Sequence, residues 1–398
     1  MSDERAGGKG DPPSARTSSP RRGPAARGEF DFIERLRREE LKSHATPPTA
    51  SAPGTLHSSL IKGIGDDAAV IRQRAGLDTV VTADLLVEGI DFDLERFPFS
   101  PRDLGHKALA VSLSDVAAMG ARPRFCLLAV GLPESRWRGR FLSEFYAGVR
   151  ALAARHGVQI IGGDISRTPE RVVVDSVVIG EARRGRAVMR SGARPGDQLF
   201  VTGALGGAAA GLRLLERAAG VPQGEGPDDR RKTAEAARPN RAQTRGGRSG
   251  CGFTRAERRL VLRQTRPEPR VEWGLLLAGR GLATAMIDLS DGLSSDLAHL
   301  CRESGVGARV KAESLPVDAG LKASTPDDAS LALALDGGED FELLFTVSAR
   351  DAARLPPEVG GVPATRVGEI TSGRGRVSLV RGGRARPLRP GGFEHFRR

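Results

Sequence analysis

From Thr79 onward, short runs rich in β-branched residues alternate with longer stretches whose apolar positions recur every three or four residues. These are the periods of strand and helix. Strands are predicted at Thr79–Val87, Phe125–Leu132, Gln159–Ile161 and Val172–Ile179, and a helix at Pro101–Met119, where Leu104, Ala108, Val111, Asp115 and Met119 share a face. A second helix covers roughly Gly139–Arg155. Beyond a turn at Ala193–Asp197 the pattern repeats loosely: strand Leu199–Thr202, helices Ala208–Arg217 and Val271–Gly279, strand Ala285–Asp288, helix Gly292–Glu303 and strand Phe341–Val347. An earlier helix is expected at Phe30–Leu41 from Phe30, Ile33 and Leu36, with a loop after it to about Ser59. The whole reads as α/β or α+β, with a break near residue 185 separating a domain at 28–184 from one at 185–398. Strand order does not follow from the pattern.

Two stretches lack any apolar period. Residues 1–27 are low complexity and are expected to be a disordered tail; 222–259 reads as a low-complexity insertion, disordered over most of Val221 to Gly252. At 398 residues the chain exceeds the roughly 250–300 at which single cores stop growing, which agrees with two domains. No apolar run approaches the roughly 18 residues that cross a bilayer, and the first 27 residues show no apolar secretory core, so a soluble, cytoplasmic protein is expected. Cys126, Cys251 and Cys301 lie far apart and show neither metal-ligand spacing nor a disulfide framework.

The net charge of +12 invites a nucleic-acid reading. Its location argues against one. Segments 1–27, 222–259 and 381–398 carry the whole excess, and the remainder nets −1. The excess is arginine in Gly/Pro/Ala-rich sequence, as a coding bias produces, and it almost lacks aromatic residues that could stack on bases.

The unusual chemistry is acidic. Aspartates sit inside or beside apolar runs: Asp66 and Asp67 after Gly65, Asp84 after VVTA, Asp115 in a helix, Asp164 after Gly163, and Asp288 with Asp291 in AMIDLSDGL. Gathering carboxylates costs repulsion and lost hydration, which cations must offset. Singly, each has an ordinary explanation, such as Asp291 capping the next helix or Asp115 facing solvent. Together, with glycines that let backbone approach phosphate, they read as a polyphosphate site held by Mg²⁺, since the donors are hard oxygens without His or Cys. The Gly63–Ala68 match to G-x-G-x-x-A would set two carboxylates against a pyrophosphate and follows no clear strand, and no P-loop is present.

In order along the chain, GIGDDAAVI (63–71), TADLLVEGIDF (82–92), HKALAVSLSDVAAMGARP (106–123), IIGGDISR (160–167), RSGARPGD (190–197), RPEPRVEWG (266–274), IDLSDGLSSDL (287–297), GGEDFELLFTV (337–347) and GGFEHF (391–396) resemble the thiamine-monophosphate kinase family. The resemblance runs from Gly28 to Phe396 and is interrupted mainly at 222–259. It implies the two-domain aminoimidazole ribonucleotide synthetase-like fold: an N-terminal sheet that pairs across a homodimer into a barrel, and a C-terminal α/β domain over the cleft. It implies ATP and several Mg²⁺ ions, with transfer of the γ-phosphoryl group to thiamine monophosphate. By position, Asp67, Asp84, Asp115, Asp164, Asp288 and Asp291 match metal ligands, and Thr82 and Ala83 neighbouring oxygen ligands. Tyr146, Gly163, Asp164, Arg190 and Ser290 match ATP contacts, and Asp91, Glu339 and Phe393 substrate positions.

Two departures stand out. Asp91 replaces the family's usual His, and Ala83 lacks the hydroxyl common there, so only its carbonyl could serve. The rival readings are another ATP-using enzyme of the same superfamily and a non-enzymatic nucleic-acid binder working through the Arg-rich tails.

Overall fold

The structure, a computed structural model, describes residues 60–62, 70–71, 73–221 and 252–394, together with Arg35, Arg38 and Glu39. The expected tail, the loop before Ser59, Asp66, Asp67 and most of 222–259 lie outside the described residues. Of the expected helix at Phe30–Leu41, Arg35, Arg38 and Glu39 are helical, and Glu39 pairs with Arg150 at 2.8 Å.

A short antiparallel pair, β1 (Leu60–Lys62) with β2 (Val70–Ile71), precedes the N-terminal sheet. That sheet holds β3 (Leu77–Val87), β4 (Arg122–Leu132), β5 (Gln159–Arg167) and β6 (Val173–Arg183) in the order β3-β6-β4-β5. Only β4 and β5 run parallel. Helices α1 (Pro101–Ala118) and α2 (Phe141–His156) pack on each other, and α1 also lies on β3 and β6. Ser100 and Asp103 form a reciprocal capping box at the start of α1, with Pro101 in its first turn. The two helices cross at glycines: a Cβ on Gly105 would fall 1.9 Å from the carbonyl oxygen of Phe145, and one on Gly148 2.0 Å from that of Arg102. Only hydrogen fits there.

The C-terminal sheet comprises β7 (Gln198–Thr202), β8 (Ala283–Asp288), β9 (Gly307–Lys311), β10 (Leu343–Val347), β12 (Val362–Thr371), β13 (Val377–Arg381) and β14 (Arg384–Pro387) in the order β14-β13-β9-β12-β7-β10-β8. Strand β11 (Glu358–Val359) pairs with β12. The longer helices of this half are α3 (Gly207–Ala218), α4 (Arg255–Thr265), α5 (Val271–Arg280), α6 (Leu293–Ser304) and α7 (Asp327–Asp336). Along β10 the period of two divides the interior: Leu343, Phe345 and Val347 join a core that continues through Trp273 and Leu277 into Leu109, Leu113 and Phe145, while Leu344 joins a second core with Leu199, Ile287 and Leu297. The two halves are therefore bonded by shared apolar burial.

Most expected elements recur within a few residues. Strand β5 runs six residues past Ile161, and α4 begins at Arg255, inside the stretch expected as insertion. A capping box of Thr254 and Glu257 starts α4, and Leu260, Gln264 and Thr265 are its buried residues. Strands β9, β11, β12, β13 and β14 had no counterpart in the pattern, being short or polar.

Candidate active site

Helix α1 is buried at fourteen of its eighteen positions, so it carries polar residues into the interior by necessity. Its Ser112 donates to Asp84 Oδ2 at 2.6 Å, its Ser114 donates to Asp288 Oδ2 at 2.8 Å, and its Asp115 accepts from Thr82 Oγ1 at 2.5 Å. Thus β3 and β8, from different domains, are laced to one helix. Thr82, Asp115, Arg190, Ser191 and Asp288 line one cleft.

The electrostatics of this cleft are unfavourable for a protein alone. Burial, then the charge of Asp115, raises Asp84 to about 6. Asp288 rises to about 7 through burial and then Asp115. Asp115 is itself raised by burial, against the hydrogen bond from Thr82 and the positive charge of Arg190. The same turn holds Asp296, pushed up to about 8 by burial and by the charges of Asp288 and Asp291. Its Oδ2 accepts from the backbone of Asp291 and Gly292, so the start of α6 is capped from within the helix rather than by Asp291. Among the described residues no three His, Cys, Asp or Glu side chains already converge on one point. The arrangement suits Mg²⁺, which takes one or two carboxylates and completes its shell with water and phosphate.

Other expected ligands lie elsewhere. Strand registers place Asp84, Ser176, Leu128 and Gly163 in one row and Leu85, Asp175, Ala129 and Asp164 in the next. Neighbours along a strand face opposite ways. Asp164 is therefore exposed on the face away from Asp84, at the far edge of the sheet, and does not join the cluster within one chain. Gly163 adopts φ 151°, and its position could not carry a Cβ, which would meet Leu128 O at 2.0 Å. The Ala83 side chain also points away from the cluster, leaving its backbone as the one group that could serve. Tyr146 is a correction: at 3% exposure it is neither open to a nucleotide nor at the surface but sits in the core, edge-on to Phe145 at 5.3 Å.

The three residues at substrate positions do come together. Asp91, Glu339 and Phe393 line a second pocket with Lys107, Gln264 and Arg96. Asp91, however, uses Oδ2 to accept from Val87 N at 2.8 Å, so its carboxylate braces its own turn. Glu339 and Phe341 hold left-handed backbone at φ 57° and 49°, a strained conformation for side-chain-bearing residues. Ser290 joins the two sites: its carbonyl accepts from Glu339 N at 2.7 Å, and the neighbouring Asp291 carbonyl accepts from Phe393 N at 3.1 Å.

Sequence reasoning missed Ser112, Ser114, Lys107, Gln264 and Asp296. Polar residues at core positions of a helix were the available signal in SLSD and HKAL; Gln264 lies beside the stretch expected as insertion and carried none.

Comparison with known proteins agrees with this architecture. The family model for AIR synthase related protein, N-terminal domain, matches residues 65–182, and that for the C-terminal domain matches 255–380. The thiamine-monophosphate kinase of Salmonella typhimurium is 37% identical over 340 residues, covering 84% of this chain and 91% of the relative. The crystal structure of thiamine-monophosphate kinase from Stenotrophomonas maltophilia aligns with TM-score 0.70 at 36% identity over 87% of this chain and 95% of that one. A structure described as AaThiL complexed with AMPPCP and TMP aligns with TM-score 0.65 at 30% identity over 93% of this chain and 97% of that one. Identity of this extent, along nearly the full length of both partners and over both domains, places the chain in the thiamine-monophosphate kinase family.

Proposed function

We propose that this protein phosphorylates thiamine monophosphate to thiamine diphosphate at the expense of ATP. The observation that carries the reading is the pairing of two adjoining pockets: a buried cluster of mutually repelling carboxylates with an arginine beside it, and a pocket formed by Asp91, Glu339 and Phe393. The relative bound to AMPPCP and TMP supports the same pair of ligands.

The acceptor brings its own nucleophile. A phosphate monoester with second pKa about 6 is already anionic at neutral pH, so no general base is needed. Catalysis then reduces to aligning two polyanions. Asp84, Asp115, Asp288 and Asp291, with Asp67 and the oxygens of Thr82 and Ala83, would hold Mg²⁺, which when bound neutralises the phosphates. Ser112, Ser114 and Thr82 fix the carboxylate orientations through the bonds given above. Arg190 supplies a fixed positive fork toward the transferred group. Asp164 and Gly163 would reach a nucleotide only from the outer face of the sheet.

That outer face exposes apolar side chains, Val81 at 62% and Leu85 at 58%, in a sheet face that also carries Asp175 and Asp164. A second copy packed on it, closing the two sheets into a barrel, is the arrangement we favour; with it Asp164 would lie at a subunit boundary. No helix of the described residues is long and apolar enough to cross a membrane.

The test is product analysis with purified protein, ATP, Mg²⁺ and thiamine monophosphate. Thiamine diphosphate and ADP are expected in equal amounts. Consumption of ATP with another acceptor and no thiamine diphosphate would move the protein to a different activity of the superfamily.

A further inference from the structure

Away from both pockets of the proposed active site, the C-terminal half holds a basic cavity. It encloses about 620 Å³ and shares no lining residue with either of them. Arg259 and Arg263 reach it one turn apart on α4, Arg266 follows at the end of that helix, and Arg270 lies beyond. Glu268 and Asp318 are its lining carboxylates, and the other lining residues are uncharged.

These arginines are oriented from behind. Glu342, 0% exposed, accepts from Arg270 Nε and Nη2, each at 2.5 Å, and from Arg263 Nη1 at 3.2 Å, while Ala204 O accepts from Arg263 Nη2 at 2.7 Å. Gly203, at φ 58°, makes room for that carboxylate, since a Cβ there would fall 2.1 Å from Glu342 Oε1. Arg266 is tied through Nε to Asp103. One buried carboxylate therefore answers two guanidiniums, and Arg259, exposed on α4, has no partner among the described residues. A guanidinium carries five N–H donors, of which the bidentate bond at Arg270 uses two. Positive groups already held in place bind an anion without the entropy lost in ordering long side chains.

From Arg259 to Arg266 the helix rises about 10 Å at 1.5 Å per residue, more than one phosphate spans and within reach of a short chain of them. No aromatic side chain lines the cavity, so bases would find nothing to stack on. We infer that this cavity is a second anion site, which takes a short linear polyphosphate without Mg²⁺. The metal is unnecessary here because the arginines supply the charge, whereas the carboxylates around Asp115 and Asp288 repel a bare anion. The inference stands apart from the kinase reading: absence of thiamine diphosphate would remove that reading and leave this site untouched.

The experiment titrates the full chain with inorganic tripolyphosphate in EDTA at low ionic strength, by calorimetry. Saturable binding is expected, weakening as salt rises. Arg259→Glu should weaken it by about tenfold or more, with kcat and both KM values within about twofold of native, and Arg259→Gln should weaken it less, in the same direction. Arg190→Ala, in the carboxylate cleft, should leave the affinity within about twofold. Absence of binding to the native chain overturns the inference without any variant. So does unchanged affinity in Arg259→Glu, which would assign the binding to the basic tails, or its loss in Arg190→Ala, which would place the anion in the cleft. A single-stranded oligonucleotide that binds more tightly than tripolyphosphate and is released by Arg259→Glu would make nucleic acid the ligand and overturn it as well.

Discussion

The two pockets treat negative charge in opposite ways. Around Asp84, Asp115 and Asp288 the partners are hydroxyls, with Arg190 the guanidinium facing them, and burial raises all three pKa values, helped at Asp84 and Asp288 by the charge of Asp115. Around Glu339 a buried lysine and an amide answer both oxygens. In the proposed reaction, the unanswered charge would receive cations and phosphates, and the answered charge would belong to the pocket that reads the acceptor's shape. That contrast can be broken at either end.

The largest effect is expected from Asp115→Asn, which keeps the shape of the side chain but lowers its charge. Turnover should fall on the order of 10²-fold or more with no loss of melting temperature. Native turnover with unchanged Mg²⁺ dependence would show that the cluster is structural.

Next in size is Lys107→Met. It strands the Glu339 carboxylate in a largely enclosed site and should cost about 2–3 kcal/mol of stability, measured by denaturant titration. KM for thiamine monophosphate should rise while the Mg²⁺ dependence holds, which separates this pocket from the first.

A smaller effect concerns pH. A carboxyl whose folded pKa exceeds its unfolded value binds its proton more tightly when folded, so stability falls as pH rises between the two values. For Asp288 that window runs from 3.8 to about 7, and for Asp84 from 3.8 to about 6. Chelator-treated protein should melt several degrees lower at pH 7.5 than at pH 5.5, and Asp288→Asn should flatten the slope. A slope of the opposite sign would mean the cluster is already compensated.

Least of all should come from deleting 1–27 and 222–251. Activity should stay within about twofold of native, whereas a protein working through its basic tails would lose its function. Filter binding to a mixed-sequence oligonucleotide, before and after deletion, supplies the complementary readout.

Much of this was legible in the sequence, for reasons that differ by residue. Strand β3 and helix α1 announced themselves because burial on a period leaves a pattern, and Asp84, Asp115 and Asp288 were conspicuous as acids in apolar surroundings. Asp164 shared that signature yet faces the other way, because the side a strand residue faces depends on register with β4, which one strand does not record. Tyr146 resembled a ligand position but fills the core beside Phe145, a matter of helix rotation. Lys107 becomes a partner of Glu339 only where the two domains meet, and Gln264 reaches it from 75 positions away within the C-terminal half. Asp67 lies outside the described residues, so its part in the site remains a proposal.

Helix α1 bears residues of both pockets, Lys107 two turns in from its start and Asp115 eight positions later. At 1.5 Å per residue they are about 12 Å apart along a rod clamped on nearly every side. Were the acceptor to bind across both pockets as proposed above, the helix would act as a ruler, and a ring and phosphate spaced much differently from that span could not engage both positions at once. Selectivity by length would then come from the helix itself, before any individual contact is considered.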